Sequence, residues 1–187
     1  MINKNIVFAS FEGKEALPPG YKVINITHSG KDIFKSLSPV HPGKIYCYGG
    51  FTANSLHNAW QFSRVLKEYD NGGVPSAEWY KWRDRGFRAE KTFVPAKKPV
   101  KHLYYWWNDA RYGEPEFRKR VMFPLYRDNV SHLPSFKLLE KMFISGEKLC
   151  FRTSFAVNDD RHIDEIIADT KIRFEYPYLL YKVLTGE

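Results

Sequence analysis

Four aromatic residues stand in a row at Tyr104-Tyr105-Trp106-Trp107. No regular backbone sends four neighbouring side chains to one side, because a strand alternates faces and a helix turns 100° per residue. The stretch Leu103 to Ala110 therefore reads as a strand half or a helix with rings in two environments. One or two of the rings are expected to face solvent or line a cleft. Rings so placed can stack on bases, a contact worth about 1–3 kcal/mol each. Asp109, two residues beyond, adds a carboxylate that could stabilise a sugar cation or steer a water. The plainer reading is a core cluster with Asp109 as a helix cap.

Aromatic residues make up 17% of the 187, with hydrophobic residues at 43%, which excludes a disordered chain and allows a sizeable core. The 29 Lys and Arg against 21 Asp and Glu leave a charge of +8. Positive charge beside flat rings favours an anionic, flat partner such as a nucleotide or DNA. A basic solvated surface over an aromatic core is the plain alternative. No apolar run approaches the roughly 18 residues of a membrane span. Residues 1–12 carry polar groups and an acid where a signal peptide needs an apolar stretch. The two cysteines, Cys47 and Cys150, lack CxxC spacing and sit in strand-like apolar settings. These features predict a soluble protein of a reducing cytoplasm, bacterial or in a phage-infected cell, with no membrane partner.

Strands are expected at Ile6–Ala9, Tyr21–Ile26, Lys44–Tyr48 and Lys148–Phe155. Asn54 or Ser55 can cap a helix running to about Tyr69. Residues 79–101 hold eight Lys or Arg against Asp84 and Glu90, interleaved with aromatics, and Pro95 and Pro99 argue for an exposed loop in part. A helix should open near Glu114-Pro115-Glu116, to be kinked or stopped at Pro124. Pro134 to Ile144 reads as an amphipathic helix, residues 159–169 as an acidic segment, and Pro177 to Leu184 as a final helix. Helices outnumber strands in this reading. The chain is expected to be α+β, one domain over 1–187, mainly helical with a small sheet.

No motif of strong catalytic specificity is present. The six histidines never fall at i, i+4, and no cysteine spacing suits zinc, so neither metal nor cofactor is expected. Three constellations remain. In Ser55-Leu56-His57-Asn58-Ala59-Trp60-Gln61 an amide falls inside the apolar arc of the helix, where leaving it unpaired costs about 1–3 kcal/mol. Either Asn58 and Gln61 bond nearby loop backbone, or His57, Asn58 and Gln61, with Trp60 beside them, line a pocket. The second constellation is the aromatic row ending at Asp109. The third is Arg118-Lys119-Arg120 with the 79–101 stretch, suited to phosphate oxygens.

These pieces, in this order, resemble the NADAR superfamily, named for NAD and ADP-ribose. Its F-S-N-F-Y-P segment is similar to Leu37-Ser38-Pro39-Val40-His41-Pro42, and its S-x-E-H-x-F-Q to residues 55–61. Its W-D resembles Trp107-Asn108-Asp109, its V-M resembles Val121-Met122, and its L-L-x-T-G resembles the segment from Leu138 to Gly146. A group from phage and bacterial genomes with an S-V-E-G-I-W-Q segment is similar too. The resemblance spans roughly residues 23–150 and implies an α+β fold and hydrolysis of an N-glycosidic bond. The substrate it implies is an ADP-ribosyl compound, a related nucleotide or a modified base in DNA. The family's acid falls at His57 and its histidine at Asn58, so catalysis is either lost or run by an acid elsewhere, Asp109 being the candidate. On that reading Asp109 stabilises the sugar cation, and His57, Asn58 and Gln61 hold the leaving base. Trp60, Trp106 and Trp107 contact it, and Arg118, Lys119 and Arg120 hold phosphate. The alternatives are a non-catalytic binder of nucleic acid or nucleotide, and a phage inhibitor docking a host protein through an aromatic, basic surface.

Overall fold

A computed structural model describes residues 4–10, 19–27, 32–90, 101–153, 161–172 and 174–187. The fold is α+β, with more residues in helix than in strand. Among the described residues the strands form two three-stranded sheets and two two-stranded ribbons. The chain divides into two units, one of residues 1–39 and 126–187, the other of residues 40–125. No helix among the described residues is long and apolar enough to cross a membrane.

The first unit is built on a parallel sheet in the order Ile6–Ser10, Leu149–Thr153, Lys22–Ile24. Its middle strand comes from late in the chain. Leu149, Cys150 and Phe151 are consecutive and all buried, the continuous apolar run expected of a parallel strand. Helix Tyr176–Thr185 lays Tyr178 and Tyr181 on Phe8, with ring centroids 4.8 and 5.9 Å apart. Helix Pro134–Ile144 lies where its periodicity predicts. The Ser36 and Ser135 hydroxyls meet at 2.6 Å, and the buried Tyr126 hydroxyl donates to the Leu37 carbonyl at 2.9 Å. The acidic stretch yields the short helix Ile163–Ala168; residues 154–160 lie outside the described ones.

The second unit carries an antiparallel sheet in the order Arg64–Leu66, His102–Trp107, Ala110–Tyr112. The aromatic row is therefore a strand. Its turn holds Asn108 and Asp109 at φ of 48° and 56°. Two consecutive left-handed residues close a two-residue hairpin with the right twist, and Asn and Asp tolerate that conformation best after Gly. Asp109 is thus a turn residue, not a helix cap. Both faces of this sheet are packed, so Tyr104, Tyr105 and Trp107 are all buried and only Trp106 is half-buried. More of the row is core than its alternation alone suggests.

The helix expected over 54–69 is only Leu56–Gln61, capped by the Ser55 hydroxyl accepting from Asn58 N–H at 3.0 Å. Val65 satisfies the apolar arc of a helix and the inner face of a strand equally well. The partner strand decides: Trp106 N–H donates to the Ser63 carbonyl at 2.8 Å, and Val65 pairs with Tyr104. Helix Ala77–Phe87 opens the basic stretch with Ser76 as its cap, and Arg83 within it turns inward rather than to solvent. Arg83 lies 4.1 Å from the Phe51 ring centroid and donates to the Tyr48 hydroxyl and to Asp84. The proline-rich part of that stretch, 91–100, lies outside the described residues.

Pro124 neither stops nor breaks its helix. Glu114–Phe117 leads into a π-helical turn, Arg118–Met122, and then into Phe123–Val130. Phe123 N–H reaches back to the Arg118 carbonyl, one residue further than in an α-helix. That widened turn makes room for the proline ring.

The helices Leu56–Gln61 and Ala77–Phe87 meet where Phe62 lies on Gly86. A Cβ at Gly86 would fall 2.0 Å from the Phe62 ring. Alanine would ordinarily gain about 1 kcal/mol over glycine inside a helix. Here overpacking reverses the sign, and Gly86→Ala should cost about 1–3 kcal/mol, measurable by urea denaturation. An unchanged or raised midpoint would show that the two helices do not approach so closely.

Candidate functional site

Within the second unit, the registry of the sheet gathers its ionisable groups. Arg64 faces Tyr105 and Val65 faces Tyr104, but Leu66 faces His102. One step along the first strand opposes two along the second, so Leu103 is surplus and the strand bulges. Without the bulge His102 would share a face with Tyr104. With it, His102 joins the face of Arg64 and Tyr105, and its ring centroid lies 4.6 Å from that of Tyr105. Leu103, left without a role in packing, is 48% exposed.

That face holds a cluster. The Tyr105 hydroxyl accepts from Trp60 Nε1 at 3.2 Å, and the Arg64 guanidinium lies over the Trp60 ring at 4.4 Å. His57 stands edge-on to Trp60, with centroids 5.5 Å apart. Phe117 stacks flat on Tyr105 at 4.1 Å. One helical turn before Arg118, Glu114 points its carboxylate the same way: one oxygen takes the Arg118 guanidinium and the other lies 3.9 Å from His102 Nε2. The His102 and Glu114 side chains keep 18% and 26% of their exposure, so the cluster opens to solvent. Among the described residues, no three His, Cys, Asp or Glu side chains come together as metal ligands.

The opposite face of the sheet is mainly aromatic, with the Tyr104 hydroxyl donating to Asp70 at 2.7 Å and Arg111 over the Tyr104 ring at 4.2 Å. Val65, Trp79 and Tyr104 form its centre, with Tyr69, Tyr80, Trp82 and Trp106 packed around them. A small open cleft of about 180 Å³ lies elsewhere in this unit, lined by Gly50, Phe51, Thr52, Asp84, Phe87 and Arg88.

Of the residues the sequence singles out, His57, Trp60 and Arg118 belong to the cluster. Asp109 does not; it is exposed at the hairpin tip, held there by turn geometry. Trp106 and Trp107 part to opposite faces, Trp106 to the Trp79 cluster and Trp107 to Tyr48 at 4.6 Å. Asn58 is buried and its Nδ2 donates to the Ala89 carbonyl at 2.9 Å, the loop-backbone bond that was one of its two readings. Among the described residues its Oδ1 and the Oε1 of the buried Gln61 have no hydrogen-bond partner. Arg118 is buried against Glu114, whereas Lys119 and Arg120 are exposed, with Arg120 3.6 Å from Glu116. The three side chains of the basic triplet are therefore not displayed together. Arg64, His102, Tyr105 and Glu114 are the residues that sequence reasoning missed. Glu114 and Arg118, at i and i+4 opening a helix, carry a legible signal; Arg64 and Tyr105 depend on the strand pairing, and His102 on the bulge.

Comparisons with protein-family models, with curated proteins and with solved structures give no match to this chain.

Burial and charge hold both imidazoles neutral. Desolvation first, and the Arg64 charge second, bring His57 down from 6.5 to about 4. His102 is lowered by burial and then by Arg64, with Glu114 acting in the opposite sense. The Tyr105 hydroxyl is pushed up by its burial and stays protonated. Both cysteine thiols are raised by burial too, Cys47 to about 12, as befits inert packing groups. Because native His57 takes a proton less readily than the unfolded chain does, the unfolded state gains protons first as the pH drops. Stability is then full above about pH 6.5 and falls between pH 6.5 and 4, His57 alone accounting for about 2–3 kcal/mol by pH 4.5. Denaturant melts of His57→Gln at pH 7.5 and 4.5 should show a smaller loss than wild type by that amount. Parallel losses in the two proteins would mean that His57 is not held neutral.

Proposed function

We propose that the chain hydrolyses the N-glycosidic bond of a nucleotide, or of a base in DNA, and that Glu114 is its working carboxylate. The observation that carries this reading is Glu114 itself, among the described residues the acid that faces this cluster of two neutral imidazoles, two guanidiniums and stacked rings. The resemblance to NADAR proteins supports the reaction class, and the move from Asp109 to Glu114 answers the acid missing at position 57. DNA or a nucleotide as partner agrees with the charge of +8.

Breaking the C1′–N bond leaves the electron pair on the base and positive charge on the sugar. A carboxylate below the sugar lowers that barrier through its field, and removing one such preorganised group typically costs 10²–10³ in rate. Water adds to C1′ as the C1′–N bond breaks, its surplus proton passes to Glu114, and Glu114 returns that proton through solvent to the leaving base nitrogen. His57 and His102, neutral at pH 7, each offer an N–H to its ring or carbonyl. They act as hydrogen-bond donors and not as strong acids, since their protonated forms are rare at that pH.

A second reading, a nucleic-acid binder without turnover, has its own observation. Lys81, Arg85 and Arg88 lie exposed at i, i+4 and i+7 on and just past helix Ala77–Phe87, a single basic stripe. Salt-dependent retention of DNA with no product formed would favour it.

The test is incubation with ADP-ribosylated nucleotides and with normal and modified phage DNA, followed by mass spectrometry for released base or sugar. Glu114→Gln should lower release by about 100-fold or more, and Asp109→Asn should leave it within about twofold. A thermal melt of each variant separates lost chemistry from lost folding, since Glu114 also pairs the buried Arg118. Release that needs Asp109 and not Glu114 would overturn the assignment.

A further inference from the structure

We infer that Arg64 is the anchor for a phosphate ester on the substrate, an inference that rests on reading the Glu114 cluster as the active site. The charges around it do not balance. Arg64 and Arg118 bring two guanidiniums, Glu114 one carboxylate, and His57, His102 and Tyr105 none at pH 7. Glu114 spends one oxygen on Arg118 and turns the other to His102, so its charge is committed away from Arg64. Among the described residues Arg64 has no carboxylate within ion-pair distance, and its Nε is buried without a hydrogen-bond partner. A guanidinium partly removed from water with no counter-charge is costly, and an anion from outside resolves that cost.

The group is also held ready. Its guanidinium carbon lies 4.4 Å from the centroid of the Trp60 ring, whose Nε1 donates to the Tyr105 hydroxyl at 3.2 Å. Tyr105 in turn is locked by Phe117 stacked on it. An arginine so oriented loses little freedom on binding, and its planar fork matches two oxygens of a phosphate. The neighbouring imidazoles add N–H donors, and Glu114 stands across the cluster where the sugar would lie. Lys119 and Arg120, the sequence's own candidates, stand in open solvent, where a phosphate contact is weak and screened.

The experiment is calorimetry on the full chain with three probes: inorganic phosphate, a nucleoside and its 5′-monophosphate. In wild type the monophosphate should bind about 10- to 100-fold tighter than the nucleoside, the usual worth of charge-assisted bonds. Arg64→Gln should bring that ratio close to one, Arg64→Lys should restore part of it by keeping the charge without the fork, and Arg85→Gln should leave it unchanged. In NMR titrations, phosphate should raise the His57 midpoint in wild type by a unit or more and not in Arg64→Gln. A ratio near one in wild type, an unchanged ratio in Arg64→Gln, or an equal loss in Arg85→Gln overturns the anchor. Arg64-dependent binding with no base released from any substrate would retain the anchor and refute hydrolysis. Base release that is indifferent to Arg64 would do the reverse.

Discussion

The pairing of Arg64–Leu66 with His102–Trp107 fixes where Arg64, His102 and Tyr105 of the candidate site stand. A regular ladder would send His102 to the aromatic face beside Tyr104, away from Tyr105 and Glu114. The surplus Leu103 prevents this by shifting the register by one residue, and the histidine arrives beside Tyr105 and Glu114. Registry changes of this kind re-aim a side chain without altering the sheet around it. The cluster on one face and the aromatic core on the other are thus two consequences of a single bulge.

A π-helical turn places the other half of the cluster. Glu114 and Arg118 are one turn apart in the first, regular part of the helix, and the widened turn from Arg118 to Met122 follows at once. Proline at 124 forces the backbone to open there, so the cost of that residue is met just beyond the ion pair. Arg118 is consequently buried with its carboxylate rather than displayed with Lys119 and Arg120. Burial of the imidazoles themselves, and after it the Arg64 charge, leaves His57 and His102 as neutral donors; at His102 Arg118 adds to this and Glu114 opposes it.

The sequence made legible whatever depends on local chemistry. Helix Pro134–Ile144, the Ser55 cap, the helix opening at Glu114 and the strands at 6–10 and 149–153 follow from caps, prolines, helical periodicity and short apolar runs. The residues that misled are those whose pattern fits two structures. Val65 and Leu66 continue a helical arc and also alternate, and only the distant strand at 102–107 selects the second. Asp109 looks like a catalytic acid in a motif and like a turn former in a hairpin, and its positive φ belongs to the turn. His102 could not be joined to His57 from spacing at all, since a bulge leaves no mark in composition. Glu114 is legible in its i, i+4 relation to Arg118 at the opening of a helix.

The most direct measurement is a crystal structure of the chain grown with a nucleoside 5′-monophosphate. The account requires the ligand on the Trp60 side of the sheet, its phosphate on Arg64 and its sugar toward Glu114. A ligand held instead in the cleft of Phe51, Asp84, Phe87 and Arg88, or along Lys81, Arg85 and Arg88, with the Glu114 cluster unvisited, would contradict it.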